Sequence, residues 1–151
     1  MRNASTKKNK PLLVITLLAF GVLGWISFKR VRSLMMLGYV DSAIGRVRTV
    51  VEAESEFAKT HPNVGYACTL SQLPDDGGIL TRVKRGEDNG YAFEIKECEQ
   101  PQSGGPNWKY RIVARPLHGG LPAFCSDQSG VLRTDQAGSV ERCEAEGVPV
   151  G

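Results

Sequence analysis

The sequence lacks the residue patterns that mark most enzymes and metal proteins. Its four cysteines include no Cys-x-x-Cys pair, and neither of its two histidines lies near a cysteine in sequence, so a zinc site is not indicated. No Gly-Lys-Ser or Gly-Lys-Thr follows its glycine pairs, which argues against a phosphate-binding loop. His61 and His118 lie beside turn residues, without a recognisable nucleophile. We therefore predict a non-enzymatic protein with no catalytic residues, no metal, no cofactor and no small-molecule substrate.

Acidic residues are absent from the first 32 positions, which hold seven lysines and arginines. The rest of the chain carries 12 basic and 16 acidic residues, so its formal charge is −4, whereas the whole chain is +3. A mildly acidic domain offers no broad positive surface for a phosphate backbone. We therefore predict no nucleic-acid partner.

Charge is also absent from residues 11–28, which read PLLVITLLAFGVLGWISF. At about 1.5 Å per residue, a helix of this length matches the hydrocarbon thickness of a bilayer. We predict a basic cytoplasmic tail at residues 1–10 and a single-pass transmembrane segment at residues 11–28. This places the protein in the inner membrane with its N-terminus in the cytoplasm. A cleaved signal peptide is the alternative, although no Ala-x-Ala-like site follows the run.

All four cysteines, Cys68, Cys98, Cys125 and Cys143, lie beyond the apolar run. An even number of cysteines in a small domain indicates disulfides formed in an oxidising compartment. The sequence therefore predicts a periplasmic C-terminal domain. Four cysteines allow three pairings, and the spacing alone does not choose among them.

Helical periodicity continues past the apolar run. Between residues 33 and 60 apolar side chains recur at steps of three and four, which predicts an amphipathic helix over residues 29–62. Pro62 ends this helix because the residue before a proline avoids the helical region. We expect Glu52, Glu54 and Glu56 to lie mainly off the apolar face. That face is expected to comprise Leu34, Leu37, Val40, Ile44, Val47, Val51 and Ala58, with Met36, Ala43, Val50 and Phe57 beside it.

Beyond residue 90 the hydrophobic period changes to two, which predicts strands. The expected strands are residues 91–96, 108–115, 123–126 and 131–134, and the last two form a hairpin across Asp127-Gln128-Ser129-Gly130. Short connections favour an antiparallel meander. The fold class is therefore α+β. A long N-terminal membrane-spanning helix continues into a small domain and packs on an antiparallel sheet of about four strands. The globular part is expected at residues 63–142, with a C-terminal tail at 143–151.

A combination of local segments points to one family. They are residues 43–54 of the helix, residues 57–66 across its end, and residues 69–73, 89–93 and 124–133. Together they resemble type IV pilins and the pseudopilins of type II secretion. The resemblance implies an N-terminal helix packed on an antiparallel sheet, with the apolar half of the helix in the filament core after assembly. It also favours a Cys125–Cys143 disulfide, because pilins close a C-terminal loop in this way, and it leaves Cys68 to pair with Cys98.

The resemblance implies a structural subunit or minor component of a type IV pilus or type II secretion pseudopilus. Its partners would be the membrane, other pilin-like subunits and the secretion or pilus machinery. Family prepilins carry a leader that ends in Gly and a Glu at the fifth position of the apolar segment. Here Lys10-Pro11-Leu12 opens the segment without either feature, so we expect it to remain uncut. The alternative is a membrane-tethered extracytoplasmic interaction or accessory module that does not polymerise.

Overall fold

The computed structural model of the protein describes residues 10–75, 77–99 and 104–150. A single α-helix, α1, runs from Lys10 to Thr60. It ends just before Pro62, as the sequence predicts, and the hydroxyl of Thr60 caps the last turn by donating to the carbonyl of Glu56 at 2.9 Å. The predicted basic tail lies outside the described residues, except for Lys10. The chain divides after Leu37 into two compact units, called here the N-terminal unit and the C-terminal unit, and α1 contributes residues to both.

The predicted single-pass segment at residues 11–28 is contradicted by the structure. Among the residues described, no helix combines the length and the apolarity needed to cross a bilayer. In the structure the apolar stretch is not a separate segment, because α1 continues from it through Lys29, Arg30 and Arg32 without a break. The sequence also predicted an inner-membrane location with a cytoplasmic N-terminus and a periplasmic domain. That prediction depended on the membrane-spanning segment and is contradicted by the same finding.

The sheet has six strands, and each strand pairs antiparallel with the next along the chain. The sequence predicted about four, and this number was wrong because β1 and β6 have two residues each, too short for a period of two to show. The strands are β1 Glu87–Asp88, β2 Tyr91–Glu99, β3 Lys109–Pro116, β4 Ala123–Asp127, β5 Arg133–Asp135 and β6 Val148–Pro149.

Two turns set the register of the meander. Asn89 and Gly90 both have positive φ, 48° and 81°, which suits the two-residue turn between β1 and β2 because such turns match the twist of paired strands. Asp127 opens the turn between β4 and β5 by accepting hydrogen bonds from the N–H of Ser129 and of Gly130. The pairing of β2 with β3 is interrupted by a bulge between Lys96 and Glu99.

Helices cover both faces of the sheet within the C-terminal unit. On one face α1 lies against the strands, and Val47 and Val51 border a shallow groove with Gly130 and Leu132. This face carries the larger side chains, namely Tyr91, Phe93, Ile95, Tyr110, Ile112, Ala114 and Phe124, all of which are buried. On the opposite face a short helix, α3 (Val140–Glu146), completes a buried cluster of Val113, Ala123, Cys125, Val140 and Cys143.

The remaining helices are short. A single 3-10 turn spans Leu70–Gln72, and α2 spans Ile79–Val83. The expected C-terminal tail instead contains most of α3 and β6. Its helix has a recognisable start, since the hydroxyl of Ser139 accepts from the N–H of Arg142 at 3.2 Å, and a glycine stop at Gly147.

Candidate functional site

The N-terminal unit presents many exposed apolar side chains on α1. Each is between 44% and 74% exposed. We call this set the apolar helix surface; its members are Val14, Leu18, Phe20, Val22, Leu23, Trp25, Ile26, Phe28, Val31, Leu34, Met35 and Leu37. Scattered exposed apolar residues are ordinary on a protein surface, but a contiguous set of this size marks an interaction site.

The apolar helix surface is suited to hydrophobic packing rather than to catalysis. The ammonium of Lys29 lies over the Trp25 ring, 4.0 Å from the ring centre. Three exposed cations, Lys29, Arg30 and Arg32, interrupt this surface between Phe28 and Leu34. Contact with another apolar surface removes such a surface from water, which lowers the free energy.

Within the C-terminal unit the same helix buries one face. Its buried residues follow steps of four and three, a helical stripe that points at the sheet. The stripe is rotated from the predicted face, because Ile44 and Val51 lie at its margin and Ala53 within it. Its members are Ala43, Val47, Val50, Ala53, Glu54 and Phe57.

Glu54 is the exception in this stripe, because it is an acid with no exposed surface. Its Oε2 accepts a hydrogen bond from the N–H of Ala67 at 2.8 Å, and its Oε1 has no partner. Burial raises the pKa of this carboxyl from 4.5 to about 7, and the Ala67 hydrogen bond opposes the rise. The protonated acid is therefore well populated at neutral pH.

The sequence placed Glu54 off the apolar face, and this was wrong. A signal was present, since Glu54 lies four residues after Val50 and three before Phe57, the spacing that keeps residues on one helix face. Glu52 and Glu56, two residues before and after Glu54, are exposed. This run of alternating acids obscured the helical spacing that places Glu54 on the buried face. Glu54 is therefore buried because of its place on the helix face, and no sequence motif marks it.

Aromatic and amide groups surround the region near Glu54. Tyr110 on β3 is 3% exposed, and its ring lies 4.8 Å from that of Tyr66. Burial, and then the charge of Glu54, raise the pKa of Tyr110. The side-chain N–H of Asn107 donates to the carbonyl of Tyr66 at 2.9 Å, while its Oδ1 is buried without a partner.

The four cysteines form two disulfides. Cys68 joins Cys98, which ties the loop after α1 to the end of β2, and Cys125 joins Cys143, which ties β4 to α3. The second bond is buried, with its cysteines 2% and 0% exposed. Within the described residues no group of histidines, cysteines and acids is placed to hold a metal ion.

The two histidines lie apart on the surface of the C-terminal unit. His61 stacks on Phe57 with ring centres 4.2 Å apart, and its Nδ1 lies 2.9 Å from the hydroxyl of Thr60. His118 lies 6.2 Å from the ring of Tyr39. These contacts give both rings a packing role at the edge of α1.

Comparisons with protein-family models, with curated proteins and with solved structures found no match for this chain.

Proposed function

We propose that the protein is a pilin-like structural subunit whose copies associate through the apolar helix surface. The observation that carries this proposal is the contrast along α1. One helix of 51 residues buries its apolar face against the sheet in the C-terminal unit and exposes the twelve apolar residues of the apolar helix surface in the N-terminal unit. A second copy supplies an equally apolar helix, and mutual burial removes both surfaces from water.

The charge distribution favours copies that are staggered along the helix axis. Helices packed in parallel register would place Lys29, Arg30 and Arg32 of one copy beside the same cations of the next, which is unfavourable. A shift along the axis instead brings these cations near the exposed acids Glu52 and Glu56 of another copy. Association is therefore expected to weaken as salt screens the pairs.

The C-terminal unit has features that suit a domain on the outside of an assembly. Its two disulfides suit an oxidising compartment, and its sheet is covered by helices on both faces. In this proposal the unit supplies the outer surface of the assembly, and the apolar helix surface supplies its cohesion.

The proposal is tested by the association state of the full chain at increasing concentration, by sedimentation and electron microscopy. We expect the wild type to form large, elongated assemblies. The triple variant Phe20→Gln, Leu23→Gln and Leu34→Gln removes three side chains that are 74%, 61% and 68% exposed, and we expect it to remain monomeric. Its thermal unfolding should match that of the wild type, because none of these side chains is buried within the chain.

The matched control replaces three exposed apolar residues of the C-terminal unit, Leu117→Gln, Val131→Gln and Val148→Gln. This control should assemble like the wild type. Loss of assembly in the control but not in the helix variant would contradict the proposal. A wild-type chain that stays monomeric at all concentrations would favour the interaction module that does not polymerise.

A further inference from the structure

Residues 64–68, called here the latch segment, connect the end of α1 to the sheet. Asn107 holds one end of it, since its N–H donates to the carbonyl of Val64 at 2.7 Å and its carbonyl accepts from the N–H of Tyr66 at 3.0 Å. Gly65 and Asn107 pair as a parallel bridge at this point. The latch segment is therefore held by residues that lie about forty positions later in the chain.

The other end of the latch segment is held by a hydrogen bond and by a disulfide. The N–H of Ala67 donates to the buried carboxyl of Glu54 at 2.8 Å. The next residue, Cys68, is bonded to Cys98, with Cα atoms 5.2 Å apart. Adjacent residues thus carry a hydrogen bond to a titratable group and a covalent bond that can be reduced.

The two disulfides of the chain differ in what covers them. Cys125 and Cys143 are 2% and 0% exposed between β4 and α3, and among the described residues no fully buried acid is hydrogen-bonded to a residue beside either. Cys68 and Cys98 are half-buried, and the Sγ of Cys68 lies 3.0 Å from the side-chain nitrogen of Asn107. Opening of the latch segment would expose the Cys68–Cys98 bond and leave the other bond covered.

We propose that Glu54 and the latch segment form a proton-dependent latch, in which loss of the Glu54 proton opens residues 64–68 and admits a thiol or phosphine reductant to the Cys68–Cys98 disulfide. The physical basis is that a buried carboxylate without a counter-charge is unfavourable. None of the ion pairs among the described residues includes Glu54. Opening gives the carboxylate access to water, at the cost of the Ala67 hydrogen bond.

The titratable groups near this carboxyl do not offset its charge. Tyr110 from β3 interacts with Glu54, and Tyr66 of the latch segment contacts the ring of Tyr110. Asp127 of β4 acts on Tyr110 and is itself acidic. These groups are phenols and a carboxylate, so none supplies a positive charge to the ionised Glu54.

The direction of the pH dependence follows from linkage. The pKa of Glu54 is raised in the folded state, so the closed latch binds the proton more tightly than the open one, and closure is lost as pH rises. The pKa of Glu54 is about 7 in the closed state, against an ordinary value of 4.5. For a carboxyl that regains its ordinary value on opening, the open fraction is expected to be about 25-fold larger at about pH 8 than at about pH 5.5. A smaller change results if the carboxyl remains partly covered after opening.

The experiment measures how fast each disulfide of the full chain is reduced by a water-soluble phosphine. In this reaction phosphorus attacks one sulfur and the S–S bond breaks. Water then converts the phosphorus adduct to the phosphine oxide, and two thiols are released. Alkylation and mass spectrometry quantify each cysteine pair over time. The ratio of the Cys68–Cys98 rate to the Cys125–Cys143 rate cancels the pH dependence of the phosphine itself.

We expect this ratio to rise by about 25-fold from about pH 5.5 to about pH 8 in the wild type. It should stay constant in Glu54→Gln, whose amide oxygen still accepts from Ala67 but does not ionise. A ratio that is constant in the wild type, or that rises equally in both proteins, would overturn the proposal. The matched control Glu56→Gln should behave as the wild type.

A second measurement needs no variant. Hydrogen exchange of the Ala67 amide, corrected for its intrinsic rate and compared with that of Ile112 in β3, should accelerate over the same pH range. Equal protection of the Ala67 amide at both pH values would refute the latch.

Discussion

The two portions of α1 have similar apolar residues and opposite surroundings. In the C-terminal unit the helix places Val47, Val50 and Phe57 against the sheet, each at most 9% exposed. In the N-terminal unit Phe20 and Phe28 are 74% and 66% exposed. The first portion packs within the C-terminal unit, whereas these side chains of the second portion are exposed.

This difference shows that apolar periodicity identifies a surface to be buried without identifying what buries it. Most helical stability in proteins comes from packing of an apolar face rather than from local propensity. The portion after Gly38 is expected to depend on the sheet for its stability, whereas the exposed side chains before it are expected to contribute little to the stability of the C-terminal unit. Substitutions that are identical in type but placed in different portions should therefore have unequal effects.

The largest contrast is expected for Phe→Ala substitutions. Phe57→Ala removes a buried ring that also stacks on His61, and we expect it to destabilise the monomer by about 3–4 kcal/mol in chemical denaturation. Phe28→Ala is the matched control and should change the same unfolding free energy by less than about 0.5 kcal/mol. Equal losses in the two variants would show that the N-terminal unit is packed within the monomer.

A second contrast concerns glycine in the C-terminal unit. Gly65 has φ of +76°, and a Cβ there would lie 2.6 Å from the backbone nitrogen of Asn107. The positive φ and the short distance to Asn107 both disfavour a side chain at Gly65. Gly65→Ala should therefore lower the free energy of unfolding by about 2–3 kcal/mol. Gly119→Ala, where a Cβ meets nothing within 4 Å, should be nearly neutral. Calorimetric unfolding of the two variants measures the difference.

A third contrast compares two acids on the same helix. Burial raises the pKa of Glu54 to about 7, so its contribution to stability is full below about pH 4.5 and is lost as pH rises through the folded pKa. The stability of Glu54→Gln relative to the wild type should therefore improve over this range, by on the order of 2 kcal/mol.

Glu56, whose side chain is 65% exposed, provides the control for this titration. Glu56→Gln should shift the unfolding free energy by less than about 0.5 kcal/mol. A relative stability of Glu54→Gln that does not vary with pH would show that this carboxyl does not retain its proton when buried.

The smallest effect is expected for glycine within the helix itself. Gly45 lies in the C-terminal unit and Gly24 in the N-terminal unit, and a Cβ at either position meets nothing within 4 Å. Gly45→Ala should stabilise the C-terminal unit by up to about 1 kcal/mol, because alanine favours the helix. Gly24→Ala should leave thermal unfolding of that unit unchanged while raising helical circular dichroism. A stabilisation by Gly24→Ala equal to that by Gly45→Ala would contradict the independence of the two portions.

Sequence reasoning was most successful where the signal is local. The end of α1 before Pro62 follows from the restricted backbone of the residue that precedes a proline. The strands β2, β3 and β4 follow from a period of two, and the β4–β5 hairpin from the Asp127–Gly130 turn. Each of these features depends on neighbouring residues, which the sequence displays directly.

Features that depend on distant residues were missed or assigned wrongly. The burial of Glu54 requires Ala67, and the tight approach of Gly65 requires Asn107, and neither partner is marked in the sequence. β1 and β6 are strands only because longer neighbours pair with them. The run at residues 11–28 was assigned to a membrane because of its hydrophobicity, and hydrophobicity alone does not show what covers such a surface.

The outer edge of β2 has a consequence for the material that this protein would form. Beyond the two residues of β1, this edge carries Glu94, Lys96, Glu97 and Glu99, and the strand is bent by the bulge between Lys96 and Glu99. Charges and bulges on an edge strand discourage pairing with another sheet. Fibres built from this chain should therefore lack the amyloid diffraction reflection at about 4.7 Å along their axis, and they should not bind amyloid dyes.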